Sequence, residues 1–202
     1  MKIIYLASKS PRRRELLRQA GIHFELLPLR AYPLDRRDVD ETPLPREAPA
    51  DYVMRIARLK AEAAVRMMTT RHLPPRLVLT ADTTVALDGE ILGKPADAAE
   101  AASMLKKLSG RTHEVLTAVA LTNMSEVKEA LSRSEVTFRQ LDESEIRQYV
   151  ATGEPLDKAG AYAIQGRAAM FISHLSGSYS GVMGLPLLET AQLIKDFETP
   201  NL

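Results

Sequence analysis

The 202-residue sequence has no cysteine, few aromatic residues and almost no net charge. Without cysteine the chain cannot form a disulfide, a thiolate zinc site or a cysteine nucleophile, and this composition fits a reducing compartment. The 27 Lys and Arg residues against 26 Asp and Glu leave a formal net charge of +1, which provides no bulk attraction to nucleic acid. Aromatic residues make up 5% of the chain, so few side chains could stack on bases. We therefore expect no nucleic-acid partner.

Long hydrophobic runs are also missing. The opening sequence MKIIYLASKSPRRR has an apolar run too short for the core of a signal peptide, and no later segment approaches the length of a membrane span. We expect a cytoplasmic protein with no membrane partner. A hydrophobic content of 45% is sufficient for a real core, as one domain or a closely joined pair.

Strand-like and helix-like segments alternate along the chain without the regular spacing of a doubly wound domain. The β-branched run KIIYLA is typical of a buried strand and leads into a helix, with Ser10 at the N-cap and Pro11 at the first helical position. A later helical period starts at residue 51, and the pair Asp88 and Gly89 suits a type I′ hairpin turn. Residues 28 to 50 are rich in proline and charge and have no period, so they are predicted to form a loop. This pattern predicts an α/β protein with a mixed sheet.

An arginine cluster follows the first predicted strand. Arg12 and Arg13 fall in the first turn of the helix, where the helix dipole disfavours cations. An anion bound by the loop amides, the hydroxyl of Ser8 or Ser10 and the guanidinium groups would remove this conflict, and phosphate is the natural candidate. The alternative is a solvated helix face on which Glu15 compensates the charge. The pattern alone leaves both interpretations open.

Three other charged residues have a structural and a functional interpretation. Lys60 falls near the centre of the apolar stripe of its helix, where it either extends along its methylene stem to solvent or meets an anion in a cleft. Asp82 ends an apolar strand, and is either a turn aspartate or a general base or metal ligand. Lys94 follows the hairpin in GEILGKP, which is not a phosphate-binding loop because Pro95 replaces the required Ser or Thr. For Asp82 and Lys94 the pattern alone favours the structural role.

Six motifs together carry a resemblance that covers nearly the whole chain. In order along the sequence they are LASKSPRRRELL, RIARLKA, ADTTVALDGEILGKP, MLKKLSGRTHEVLTAVAL, YVATGEPLDKAGAYAIQG and GSYSGVMGLPL. In order and spacing they resemble the Maf family of nucleotide pyrophosphatases. The resemblance implies a Maf/ITPase-like mixed twisted sheet flanked by helices, forming a single domain over residues 1 to 202 with two lobes and a central cleft. It also implies a homodimer.

The activity implied by the resemblance is hydrolysis of a nucleoside triphosphate to the monophosphate and pyrophosphate with a divalent metal ion. Asp82 matches the catalytic base, and Glu41 with Asp82 matches the metal ligands, for which Mg²⁺ is the first expectation and Mn²⁺ the alternative. The residues implied in binding the triphosphate are Ser8, Arg12, Arg13, Lys60 and Lys94.

The resemblance also indicates which nucleobase the substrate carries. One branch of the family is associated with methylated guanine nucleotides, and it differs from this sequence at three places. It has Trp at the position of Arg12, SDQ where this sequence has ADT with Thr83, and SEG where this sequence has IQG with Gln165. These three specificity positions imply the branch that acts on dTTP, UTP and modified pyrimidine nucleotides. A glutamine amide offers a donor and an acceptor that suit the O4 and N3 edge of uracil or thymine. The alternatives are a non-catalytic nucleotide-sensing regulator of cell division and the same reaction on a modified purine.

Overall fold

A computed structural model describes residues 3 to 27 and 39 to 198, whose strands form one seven-stranded sheet. The strand order is β2-β1-β3-β5-β6-β7, with β4 paired to β3. The strands are β1 (Ile4–Leu6), β2 (Phe24–Leu26), β3 (Val78–Leu87), β4 (Glu90–Leu92), β5 (Thr112–Thr122), β6 (Val127–Phe138) and β7 (Ile172–Ser176). β1 runs parallel to β2 and β3, whereas all other pairs are antiparallel. The mixed sheet confirms the predicted α/β class.

Helices cover both faces of this sheet. They are α1 (Pro11–Gln19), α2 (Pro49–Thr70), α3 (Ala98–Leu108), α4 (Glu143–Val150), α5 (Tyr179–Met183) and α6 (Leu187–Glu198). Side chains alternate between the faces of a strand, so Val119 and Leu121 of β5 pack in the core with α1 and α6, while Ala118 and Ala120 pack against α2. No helix in the described ranges is long and apolar enough to cross a membrane.

The local signals of the sequence are mostly confirmed. Ser10 occupies the N-cap position of α1 with Pro11 after it, but the Ser10 hydroxyl caps no helix N–H. Asp88 and Gly89 have φ values of 51° and 81°, as a type I′ turn requires. Of the predicted loop from 28 to 50, residues 28 to 38 lie outside the described part. α2 begins at Pro49, two residues before the predicted start.

The position of Asp82 was predicted wrongly. It lies inside β3 and not at a strand end. The reason is the pairing of β3 with β5, which runs without interruption from Val78 to Ala86 and carries the strand past Asp82. On the other edge of β3, β1 pairs only at Val78 and Leu79, and β4 pairs only from Val85 onwards. Among the described residues, no strand therefore pairs with 80 to 84 on this side, and the sheet edge is open at Asp82.

His113 is buried in β5, whereas the other three histidines are exposed. Its Nε2 lies 2.8 Å from the Tyr162 hydroxyl oxygen, and its ring packs edge-on against Phe138 and Tyr162. Burial lowers the pKa of His113 to about 4. An unfolded chain has a histidine pKa of about 6.5, so it takes up a proton first as the pH falls. The stability that neutral His113 provides at neutral pH is therefore lost as the pH falls from about 6.5 towards about 4.

We predict that His113→Gln makes the free energy of unfolding less dependent on pH in this window. One histidine contributes at most about 1.4 kcal/mol per pH unit, and the variant lacks this contribution. Urea denaturation of both proteins at about pH 7, 6 and 5 measures the difference, since all other titrating groups are shared. The control is His174→Gln, which removes an exposed histidine and keeps the wild-type slope. Equal slopes for His113→Gln and wild type would contradict the prediction.

Candidate active site

A cleft of about 1180 Å³ opens beside the uncovered part of β3. Its walls come from the loop before α1, from α2, from β3, from the loop after β4 and from the segment around residues 154 to 166. Every residue predicted for the site lines this one cleft: Ser8, Arg12, Arg13, Glu41, Lys60, Asp82, Thr83, Lys94 and Gln165. Residues from distant parts of the sequence are thus brought together where the parallel strand β1 ends and α1 begins.

A lysine between two carboxylates occupies one wall of the cleft. The Lys60 Nζ lies 2.7 Å from Oδ1 of Asp82 and 2.8 Å from Oε1 of Glu41. Asp82 is 8% exposed, so its carboxylate is largely removed from water. The structure decides between the two interpretations of Lys60, because its ammonium meets anions in a cleft and does not extend to open solvent.

The environment separates the acidities of the two carboxyl groups. Burial raises the pKa of Asp82 above its ordinary value, and the nearby cations of Lys60 and Arg13 reduce this rise without cancelling it. Burial also acts on Glu41, but there the cations outweigh it and hold the pKa below its ordinary value. Two carboxyl groups with opposite shifts suit different tasks, one as a proton acceptor and the other as a permanent anion.

Arg13 directs most of its N–H groups to protein acceptors. Its Nε donates to the Gly184 carbonyl at 2.7 Å, and one terminal nitrogen donates to the Ala81 carbonyl at 2.8 Å and to the Ser8 hydroxyl at 3.3 Å. The other terminal nitrogen lies 3.3 Å from the Thr83 hydroxyl oxygen. The bond to Ala81 satisfies a carbonyl on the side of β3 where no strand of the described residues pairs with it. Arg13 therefore supplies positive charge to the cleft and also joins α1 to β3.

The remaining predicted residues lie on other walls. Arg12 lies near the segment of residues 154 to 166, where its favourable electrostatic partners include Asp157 and Glu154. Lys94 is exposed after β4, close enough to Glu41 to lower its pKa. Gln165 is exposed at the rim of the cleft.

Several cleft residues were missed by the sequence analysis. The Tyr52 hydroxyl donates to the Glu41 backbone carbonyl at 3.0 Å and thereby fixes the segment that carries this carboxylate. Burial, together with the charges of Asp82 and Glu41, raises the pKa of Tyr52 to about 12. Glu154, Asp157 and Lys158 also line the cleft. The motif GEPLDKAG contains these three residues, but nothing in its pattern indicates that this segment folds against α1.

Glu41 and Asp82 provide carboxylate oxygens for a hard divalent cation. The described residues contain no group of three or more His, Cys, Asp or Glu side chains placed to hold a metal ion by themselves. Two carboxylates fit an ion that takes its other ligands from phosphate oxygens and water, as Mg²⁺ commonly does. The donor set therefore fits the expected cofactor when a nucleotide is bound.

Comparison with known proteins agrees with this site. A dTTP/UTP pyrophosphatase of Aromatoleum aromaticum is 61% identical over 198 residues, covering 98% of this chain and 96% of that protein. A dTTP/UTP pyrophosphatase of Dechloromonas aromatica is 56% identical over 192 residues, covering 95% and 96%. Among solved structures, the Ham1 protein of Staphylococcus aureus has a similar fold, with a TM-score of 0.54 and 17% identity over 98% of this chain and 100% of that one. The family model described as Maf-like protein matches residues 3–197. The chain belongs to the Maf family.

Proposed function

We propose that the protein hydrolyses dTTP, UTP and modified pyrimidine nucleoside triphosphates to the monophosphate and pyrophosphate. The observation that carries the proposal is the pairing of the buried Asp82 with Lys60 in a cleft that also collects Arg12, Arg13 and Lys94. A polyphosphate fits such a set of cations, and a carboxylate among them has no use in simple anion binding. The full-length similarity to two dTTP/UTP pyrophosphatases supports the same reaction.

In the proposed reaction, Asp82 removes a proton from the attacking water. The water oxygen forms a bond to the α-phosphorus, the bond from this phosphorus to the bridging oxygen breaks, and pyrophosphate leaves with the electron pair. The raised pKa of Asp82 makes it a better proton acceptor than an exposed aspartate. Lys60, Lys94 and Arg12 neutralise charge on the phosphate oxygens, which stabilises the leaving group.

Glu41 and Asp82 would hold the divalent ion, with Mg²⁺ as the first choice and Mn²⁺ as the alternative. When bound, the ion neutralises phosphate charge and supports departure of pyrophosphate. Ser8 adds a hydroxyl to the same wall, although in the structure its oxygen already accepts from Arg13 and from the Ser10 N–H.

Base selection is assigned to the rim of the cleft. Gln165 is exposed there and can pair with the O4 and N3 edge of a pyrimidine through its amide. Thr83 lies on β3, with its hydroxyl oxygen 2.9 Å from the hydroxyl oxygen of Thr117. Thr83 and Arg12 both line the same cleft as Gln165. We propose these three as the specificity residues.

We also propose the domain organisation that the family resemblance implies. The cleft would separate two lobes of a single domain over residues 1 to 202, and the homodimer stays a prediction. A cytoplasmic location is proposed with them, in keeping with the soluble substrates of the proposed reaction.

A panel of triphosphates tests the proposal. We expect pyrophosphate and monophosphate from dTTP and UTP with Mg²⁺, much less from purine nucleotides, and no turnover after chelation of the metal. Separate detection of pyrophosphate and orthophosphate identifies the bond that is cut. Release of orthophosphate would contradict the proposed reaction, and tight nucleotide binding without turnover would support the sensing regulator instead.

A further inference from the structure

Glu154 holds the backbone next to Gln165. One of its carboxylate oxygens, Oε1, accepts a hydrogen bond from the Tyr149 hydroxyl at 2.9 Å. The other, Oε2, accepts one from the backbone N–H of Arg167 at 3.2 Å. Through this carboxylate, the C-terminal part of α4 is linked to the segment that follows Gln165.

Gly166 leaves room for this carboxylate. A Cβ at position 166 would lie 2.0 Å from Oε1 of Glu154 and 2.6 Å from its Cδ, distances at which one group must move. The φ of Gly166 is −100°, a value open to other residues. Space, and not a left-handed backbone, therefore explains the glycine, and the carboxylate packs directly on the Gly166 main chain.

These contacts fix the turn that carries Gln165. The Gly166 N–H donates to the Ala163 carbonyl at 3.1 Å, so Gln165 lies within a closed four-residue turn. The Glu154 side chain packs on Gly166, the residue after Gln165, and accepts a hydrogen bond from the backbone N–H of Arg167. The direction in which the Gln165 amide enters the cleft depends on this backbone.

Tyr149 gives Glu154 a firm support. Its ring is buried and packs edge-on against Phe171, with centroids 5.1 Å apart. Burial and the adjacent Glu154 carboxylate raise the pKa of Tyr149, so the hydroxyl keeps its proton and remains a donor. The support for the Gln165 turn therefore reaches into the hydrophobic core.

We propose that Glu154 is a positioning residue for base recognition, which aligns the Gln165 amide and so sets discrimination between uracil or thymine and cytosine. This rests on the proposed role of Gln165. Uracil presents a carbonyl at position 4 where cytosine presents an amino group, so a fixed amide NH₂ favours the first and opposes the second. An amide that is free to rotate or shift loses this distinction.

Three variants test the proposal through the ratio of kcat/KM for UTP to kcat/KM for CTP. Glu154→Ala is expected to lower the ratio about 10-fold, mainly through a higher KM for UTP, because a misplaced hydrogen bond weakens recognition. Gly166→Ala keeps the charge but displaces the carboxylate, and should lower the ratio to a similar extent. The double variant should be no worse than Glu154→Ala, because the new Cβ then meets no carboxylate.

Two controls separate position from charge. Glu154→Gln loses the charge but keeps a side-chain oxygen and the packing on Gly166, so it should restore most of the ratio. An effect that acts through the charge near Arg12 would instead make Gln as damaging as Ala. Arg167→Ala keeps the backbone donor and should retain the wild-type ratio.

An unchanged UTP to CTP ratio in Glu154→Ala would overturn the proposal, as would full additivity of the two single variants. A lower melting temperature with the ratio unchanged would show a structural role only. If the wild type binds UTP more tightly than CTP but turns over neither, the proposed function fails. The role of Glu154 is then tested by calorimetry, as the ratio of the Kd for CTP to the Kd for UTP in wild type and in Glu154→Ala. A wild type with no preference between the two nucleotides would also overturn the proposal.

Discussion

Replacing Asp82 by Asn is expected to lower kcat for dTTP and UTP by about 10²–10⁴-fold, the usual contribution of a general base. Asparagine fills almost the same volume inside β3 but cannot take a proton from water. Lys60 would still lie near the side-chain oxygen and Glu41, and this oxygen and Glu41 would still offer ligands to the divalent ion, so the cations of the cleft should keep their places. Nucleotide binding should therefore survive while turnover is lost.

Pyrophosphate release under saturating substrate measures the loss, and calorimetry with a non-hydrolysable dTTP analogue checks binding. Asp88→Asn is the matched control, since Asp88 lies outside the cleft in the β3–β4 turn and is exposed. Its pairing partner Arg111 is also exposed, so full activity is expected. Turnover close to the wild-type rate in Asp82→Asn would remove Asp82 from the mechanism.

Much of the fold could be predicted because its signals are local. The strand that leads into α1 and the hairpin at Asp88 and Gly89 depend on residues that are neighbours in sequence, and both were found. The Pro and Gly positions fix the backbone there regardless of the rest of the chain. The order of the strands in the sheet depends on long-range pairing and was not predicted beyond its mixed character.

The site shows the same division between features that depend on local sequence and features that depend on long-range contacts. Lys60 on an apolar stripe was visible as an anomaly, but only the fold shows that the anion it meets is Asp82. Asp82 was expected at a strand end, since no local pattern shows that pairing with β5 continues β3 past this residue. The donors of Arg13 are directed to Gly184 and Ala81, contacts that span more than 65 residues of sequence. Sequence patterns therefore pointed to the arginine cluster and Lys60, the family resemblance added the other predicted site residues, and the fold shows which groups each one contacts.

Lys60→Met is expected to lower kcat/KM for dTTP by about 10²–10³-fold, the loss typical of removing one charge-stabilising donor. The variant also leaves the buried Asp82 carboxylate without its hydrogen-bonded cation, which should destabilise the fold by about 1–3 kcal/mol. Because Lys60 lowers the pKa of Asp82, its removal favours the protonated form of the proposed base. Stability and activity should therefore fall together in this variant.

The comparison with two other substitutions on α2 makes the result specific. Lys60→Arg keeps a cation between Glu41 and Asp82, so it should recover most of the stability and part of the activity. Arg58→Met removes an ion pair between the exposed Arg58 and the largely covered Glu129 of β6, and neither residue lines the cleft. It should be as active as the wild type. Equal activity of Lys60→Met and Arg58→Met would mean that a cation between the two carboxylates is not needed for turnover. The positive charge of the cleft would then act through Arg12, Arg13 and Lys94.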